Sequence, residues 1–130
     1  MTRTDITDLF PEGEKIMDVM LQKLQEYGAD VDGAMGRFLN DVPLYKTCFT
    51  IFLEDEAFLK LAQALEERDY QNAFTYAHTI KGVAGNMGLT PLYQVICHIV
   101  EALRKNDYSC LSDYQAEMME QLDKLEKVLA

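Results

Sequence analysis

Between Pro43 and Leu129 apolar side chains recur every three or four residues, the period of a helix that buries one face, and only short breaks separate the runs. Such a pattern admits helix packed on helix and little else. The first run starts near Pro43, capped by Asn40 or Asp41, and reaches Arg68; its stripe is Leu44, Cys48, Ile51, Phe52, Phe58, Leu59, Ala62 and Leu65. Asp55 falls on the same stripe, which predicts a kink or break at the acidic run Glu54-Asp55-Glu56, itself read as a solvated turn or helix face. Asp69 caps the second run, whose arc is Ala73, Tyr76, Ala77, Ile80, Val83, Ala84 and Met87, and Gly88 ends it. Thr90-Pro91 opens a third with Leu92, Val95, Ile96, Ile99, Val100 and Leu103. After Asn106-Asp107 a last helix carries Leu111, Tyr114, Met118, Leu122, Leu125 and Leu129.

Two further elements precede these, the second of them short. Pro11 to Tyr27 carries Ile16, Met17, Met20, Leu21 and Leu24 at helical spacing and stops at Gly28, and Asp32 caps a short helix through Leu39. The expected fold is all-α: an antiparallel four-helix bundle with an additional N-terminal helix and a short helix that cover one end, forming a single domain over residues 1–130. The methionines read as core filler.

Twenty-two acidic against 12 basic residues give a formal charge of −10, which argues against nucleic acid or an anionic membrane as partner and leaves other proteins. The opening Met-Thr-Arg-Thr-Asp has no apolar signal core, and no stretch approaches the length of a membrane span, so the expected place is the cytoplasm. Cys48, Cys97 and Cys110 show no C-x-x-C spacing and read as reduced thiols; Cys97 and His98, adjacent on a helix, point about 100° apart, so no metal site is expected.

His78 interrupts this otherwise structural pattern. On a helical projection it lies about 160° from the centre of its helix's apolar arc, with Gly82 and Gly85 about 40° and 20° from it and Lys81 and Thr75 about 60° to either side. A glycine in a helix interior costs about 1 kcal/mol relative to alanine, so two beside one histidine require a reason. Close approach of another protein's surface to the imidazole is the simplest; relief of a helix crossing is the blander one. His98 also projects outward, but no glycine clears its surroundings, and it reads as an ordinary surface residue.

The string His78-Thr79-Ile80-Lys81-Gly82-Val83-Ala84-Gly85-Asn86-Met87-Gly88-Leu89 resembles the signature of the histidine-containing phosphotransfer (HPt) domain: histidine, two residues, Lys-Gly, small residues, then a second glycine. The likeness extends from about Ile16 to the C-terminus through Gly28-x-Asp30-x-Asp32, Arg37-Phe38-Leu39, Leu44-Tyr45 and Phe49-x-x-Phe52-Leu53 before the signature, and the apolar pattern Leu92, Val95, Ile96, Ile99 and Leu103 after it. The resemblance implies a phosphorelay intermediate in which His78 takes a phosphoryl group from a receiver-domain aspartate and passes it to another receiver domain. It implies response-regulator receiver domains or a hybrid sensor histidine kinase as partners, and it places the acceptor aspartate and Mg²⁺ on the receiver, with no cofactor in this chain. Some relatives steady the histidine with a glutamine on the next helix; Val100 stands at that spacing here, and Arg104, one turn on, is the candidate substitute.

The residues suit that chemistry. A neutral imidazole is a nucleophile that accepts a phosphoryl group on nitrogen and passes it on, and phosphoryl transfer asks mainly for positioning and charge stabilisation. His78 is the expected acceptor, Lys81 the cation for the phosphoryl oxygens, and Gly82, Gly85, Thr75 and Arg104 the docking surface. No G-x-x-x-x-G-K-[ST] loop or kinase motif set is present, so the chain is expected to act as a phosphocarrier and not as an enzyme. The alternatives are a helical adaptor that docks on receiver or kinase domains without carrying phosphate, and a cofactor-binding bundle, which would need inward-facing histidines or a Glu-x-x-His motif. An initiator methionine and a complete bundle favour a free-standing protein, and a monomer is expected.

Overall fold

The computed structural model describes residues 11–129, with side chains described from Val19 onward; Ile16 and Met17 of the expected first stripe therefore lie outside the described side chains. Seven helices and no strand are found among the described residues: α1 Pro11–Tyr27, α2 Val31–Arg37, α3 Val42–Leu53, α4 Ala57–Glu66, α5 Tyr70–Asn86, α6 Thr90–Arg104 and α7 Leu111–Leu129. The run from Pro43 to Arg68 is thus two helices. Asp55 leaves the helix, accepting the Ala57 N–H at 2.8 Å, so its carboxylate stays in solvent and starts α4 instead of entering the core.

The break also resets the phase of the buried face. On α3 the core takes Tyr45, Phe49 and Phe52, while Leu44 and Ile51 are exposed (47% and 61%) and Cys48 is half-buried. On α4 it takes Phe58, Leu61, Ala64 and Leu65; Leu59 is exposed and Ala62 half-buried. Of the expected stripe Phe52, Phe58 and Leu65 are buried, while on α3 the rest of the face is displaced by about one residue, or 100°. Burying two aromatic rings outweighs burying Leu44 and Ile51, and the Tyr45 hydroxyl finds a partner inside by donating to the Met87 carbonyl at 2.8 Å.

The caps differ in part from the sequence reading. Asp30, and not Asp32, caps α2, accepting the Gly33 N–H at 3.1 Å; the helix stops at Arg37, and Leu39 and Asn40 take left-handed conformations (φ 56° and 58°) that turn the chain into α3. Asp41 caps α3 and Asp69 caps α5. Gly88 has φ +72°, and its site admits no side chain: a Cβ there would lie 2.6 Å from the Asp30 carbonyl oxygen.

α5 packs between α4 and α6, α6 packs on α7, and α7 returns to α3, so that the α3–α4 pair, α5, α6 and α7 form the four-helix bundle. Short turns make successive members antiparallel. α1 lies against α7 and carries α2, which reaches the α5–α6 turn through the Asp30 N–H to Gly88 carbonyl bond at 2.8 Å. The core includes Leu24, Leu61, Ile80, Leu92, Ile96, Ile99, Met87, Met118 and Leu125. Val83 and Leu129, expected inside, are exposed, with Val128 replacing Leu129 in the last turn; Tyr76, Tyr114 and Leu122 are half-buried. None of the described helices is long and apolar enough to cross a membrane.

Candidate functional site

The buried residues of α5 are Ala73, Ala77, Ile80 and Ala84, a row of mostly small side chains that lets neighbouring helices approach closely and turns the opposite face to solvent. His78, Thr75 and Gly82 are exposed on that face, and Lys81 and Gly85 are half-buried beside them. His78, Lys81, Gly82, Gly85, Asn86 and Tyr93 line a shallow concavity of about 290 Å³. The structure thus gathers the histidine, the lysine and both glycines in one place.

The two glycines have different neighbours. A Cβ at Gly82 would meet nothing within 4 Å, so the missing side chain leaves open space beside the imidazole. A Cβ at Gly85 would lie 3.0 Å from the Tyr93 ring, so Gly85 is small for an internal reason: α6 lays an aromatic ring across it. The phenol of Tyr93 is held above its ordinary pKa first by its hydrogen bond to Cys97, one turn along α6, and then by the charge of that thiol's ionised form. The Thr75 hydroxyl is engaged with its own helix, donating to the Gln71 carbonyl at 3.3 Å.

Arg104 is exposed at the end of α6 and ion-pairs with Glu101. It reaches the histidine's surroundings through Phe74: its guanidinium carbon lies 5.6 Å from the centre of the Phe74 ring, and that ring lies 5.8 Å from the imidazole at a tilt of 36°. Sequence reasoning missed Phe74, although an aromatic residue four positions before the histidine puts the two on one helix face. Val100 is fully buried and presents nothing polar at this site. His98 is exposed too, its ring 5.2 Å from that of Tyr114.

The C-terminal end of α5 is fixed by side chains from α2 and α3. Arg37 donates from Nε to the Asn86 carbonyl at 2.8 Å and from its terminal nitrogen to the Gly85 carbonyl at 3.1 Å, and Tyr45 adds its bond to Met87. A cation at a helix C-terminus is favourable in itself, and here it adds a donor to the Gly85 carbonyl, which also accepts the Gly88 N–H, and to the Asn86 carbonyl at the helix end. Burial pushes the Tyr45 phenol well above its ordinary range, partly offset by the nearby Arg37 charge. These links join residues more than 40 positions apart, and no local pattern announces them.

The family model of the Hpt domain matches residues 50–128. The chain belongs to the Hpt domain family. No curated protein and no solved structure matches it. The matched stretch runs from the end of α3 through α7 and includes His78 and every other candidate residue of α5 and α6. Hpt domains are phosphohistidine carriers of two-component phosphorelays, and the all-helical bundle described above agrees with that assignment.

Proposed function

We propose that His78 is the phospho-acceptor of this Hpt domain, taking a phosphoryl group from an aspartyl-phosphate on one receiver domain and delivering it to another. The observation that carries this reading is an exposed imidazole on a helix whose opposite face is buried, with open space at Gly82 beside it. The nitrogen lone pair attacks phosphorus as the bond to the aspartyl oxygen breaks, and the reverse step regenerates the imidazole. Lys81 sets a cation beside the phosphoryl oxygens. The aspartate and Mg²⁺ belong to the receiver, which a response regulator or a hybrid sensor kinase supplies; this chain contributes position and charge, acting as a monomer in the cytoplasm.

Incubation with a phosphorylated receiver domain and Mg²⁺ should label the protein with an alkali-stable, acid-labile phosphate. His78→Gln should take no label. Lys81→Ala should unfold near the wild-type temperature yet accept phosphate on the order of 10-fold more slowly at sub-saturating receiver, with Lys81→Arg between them. Labelling of His78→Gln at the wild-type level would remove the assignment, and unchanged transfer in Lys81→Ala would reduce the lysine to a solvated surface residue.

A further inference from the structure

The face of α5 that carries His78 also carries Phe74, about 40° away around the helix and one turn earlier. An aromatic ring on an exposed helix face is poorly placed for the core, and Phe74 is only half-buried, resting one edge on the core cluster. Its remaining surface meets two groups of the site: the imidazole at 5.8 Å between ring centres and the Arg104 guanidinium at 5.6 Å. We propose that Phe74 is a positioning residue, a platform that restricts the rotation of the His78 imidazole and holds the Arg104 cation on the histidine's side of α6; this rests on His78 being the acceptor.

The physical reasons are separate for the two partners. An exposed histidine samples several rotamers, and only some aim a ring nitrogen outward for in-line attack; a ring packed against one flank removes part of that freedom before the partner arrives. The guanidinium is drawn to the aromatic face by the ring quadrupole. Glu101 tethers the same guanidinium, so Arg104 is held between a carboxylate and the ring that also flanks the imidazole, where its charge favours the negative charge that a phosphoryl group would add. A leucine at position 74 keeps the apolar edge on the core but offers neither a flat flank to the imidazole nor a quadrupole to the arginine.

The test uses phosphoramidate, a small donor that needs no protein partner: its phosphoryl group passes to an imidazole nitrogen and ammonia leaves. Phosphorylation is followed by NMR of the His78 ring protons in the wild type, Phe74→Leu and Phe74→Tyr. Phe74→Leu should react on the order of 5-fold more slowly at saturating donor, with the half-saturating concentration little changed. Its His78 ring protons should lose the displacement caused by the neighbouring aromatic ring. Phe74→Tyr should restore both rate and displacement, which a role in packing alone would not require. If Phe74→Leu lowers the melting temperature, Phe74→Met read below both transitions replaces it. A wild-type rate in Phe74→Leu with the displacement lost, or a Phe74→Tyr as slow as Phe74→Leu, would overturn the platform while leaving His78 as acceptor. Absence of reaction at His78 in the wild type would remove the acceptor assignment, and the platform with it.

Discussion

Gly82 and Gly85 sit three residues apart on one face of α5, and their environments assign them different tasks. With nothing within 4 Å of its would-be Cβ, Gly82 accepts a side chain at no steric cost to the fold. Gly82→Ala should therefore recover the helix propensity that glycine forfeits, about 1 kcal/mol, and raise the melting temperature by about 3–5 °C. Gly82→Gln, equally tolerable to the helix, should block transfer from a receiver domain by filling the approach to His78. Thermal melts paired with transfer rates check both, and a destabilised alanine variant or a fully active glutamine variant would contradict the open-space argument. In Gly85→Ala the propensity gain is opposed by the Tyr93 ring at 3.0 Å, so stability should change less than in Gly82→Ala. The sequence shows both glycines as one clearing because their spacing from His78 is visible along a single helix. The ring that separates their roles comes from α6.

At the scale of elements, α5 is held by its stripe of small residues and by the clamp at its C-terminal end, and only the first could be read in advance. Although the single run read from Pro43 to Arg68 is two helices, the Asp69 cap, the Gly88 stop and the buried stripe of α6 follow from period and cap chemistry, which are local. The face of α3 does not, because Tyr45 turns inward for a carbonyl 42 residues later in the chain. Tyr45→Phe should leave the Met87 carbonyl without that donor and cost about 1–2 kcal/mol at neutral pH. The pH dependence gives a second, independent reading. Burial raises the Tyr45 phenol above the ordinary value of 10.0, so the folded state holds its proton more tightly than the unfolded chain does. That contribution is complete below about pH 10 and is lost as pH rises through the folded-state value, at up to about 1.4 kcal/mol per pH unit. Tyr27, pushed up to about 12 mainly by burial, adds a loss of the same sign between pH 10 and 12. Denaturant unfolding followed from pH 8 to 11 should show the wild type and Tyr45→Phe converging above pH 10; a constant separation would mean that the Tyr45 phenol titrates alike in both states.

Across the whole molecule the electrostatic balance is set by excess charge and not by ion pairs. The formal charge is −10, and among the described residues the ion pairs Lys60–Glu56, Arg104–Glu101, Lys124–Glu120 and Lys127–Asp123 each join residues three or four apart in sequence. Such pairs support their own helix by about 0.2–0.5 kcal/mol each and hold no two helices together. The excess acids act between helices instead: α7 carries Asp113, Glu117, Glu120, Asp123 and Glu126 against only Lys124 and Lys127, and the turn before α4 adds Glu54, Asp55 and Glu56. At about 0.01 M ionic strength the screening length, about 30 Å, is long enough for these groups to repel one another across a bundle of this size; at 0.1 M it is about 10 Å. Salt therefore weakens both effects, but it removes many long-range repulsions and only a few short-range attractions, since interactions within one helical turn are screened least. The melting temperature should rise as NaCl increases from 0.01 to about 0.3 M and then level off, with most of the gain below 0.1 M. A melting temperature that falls over the same range would show that the helical ion pairs outweigh the repulsion of the net charge.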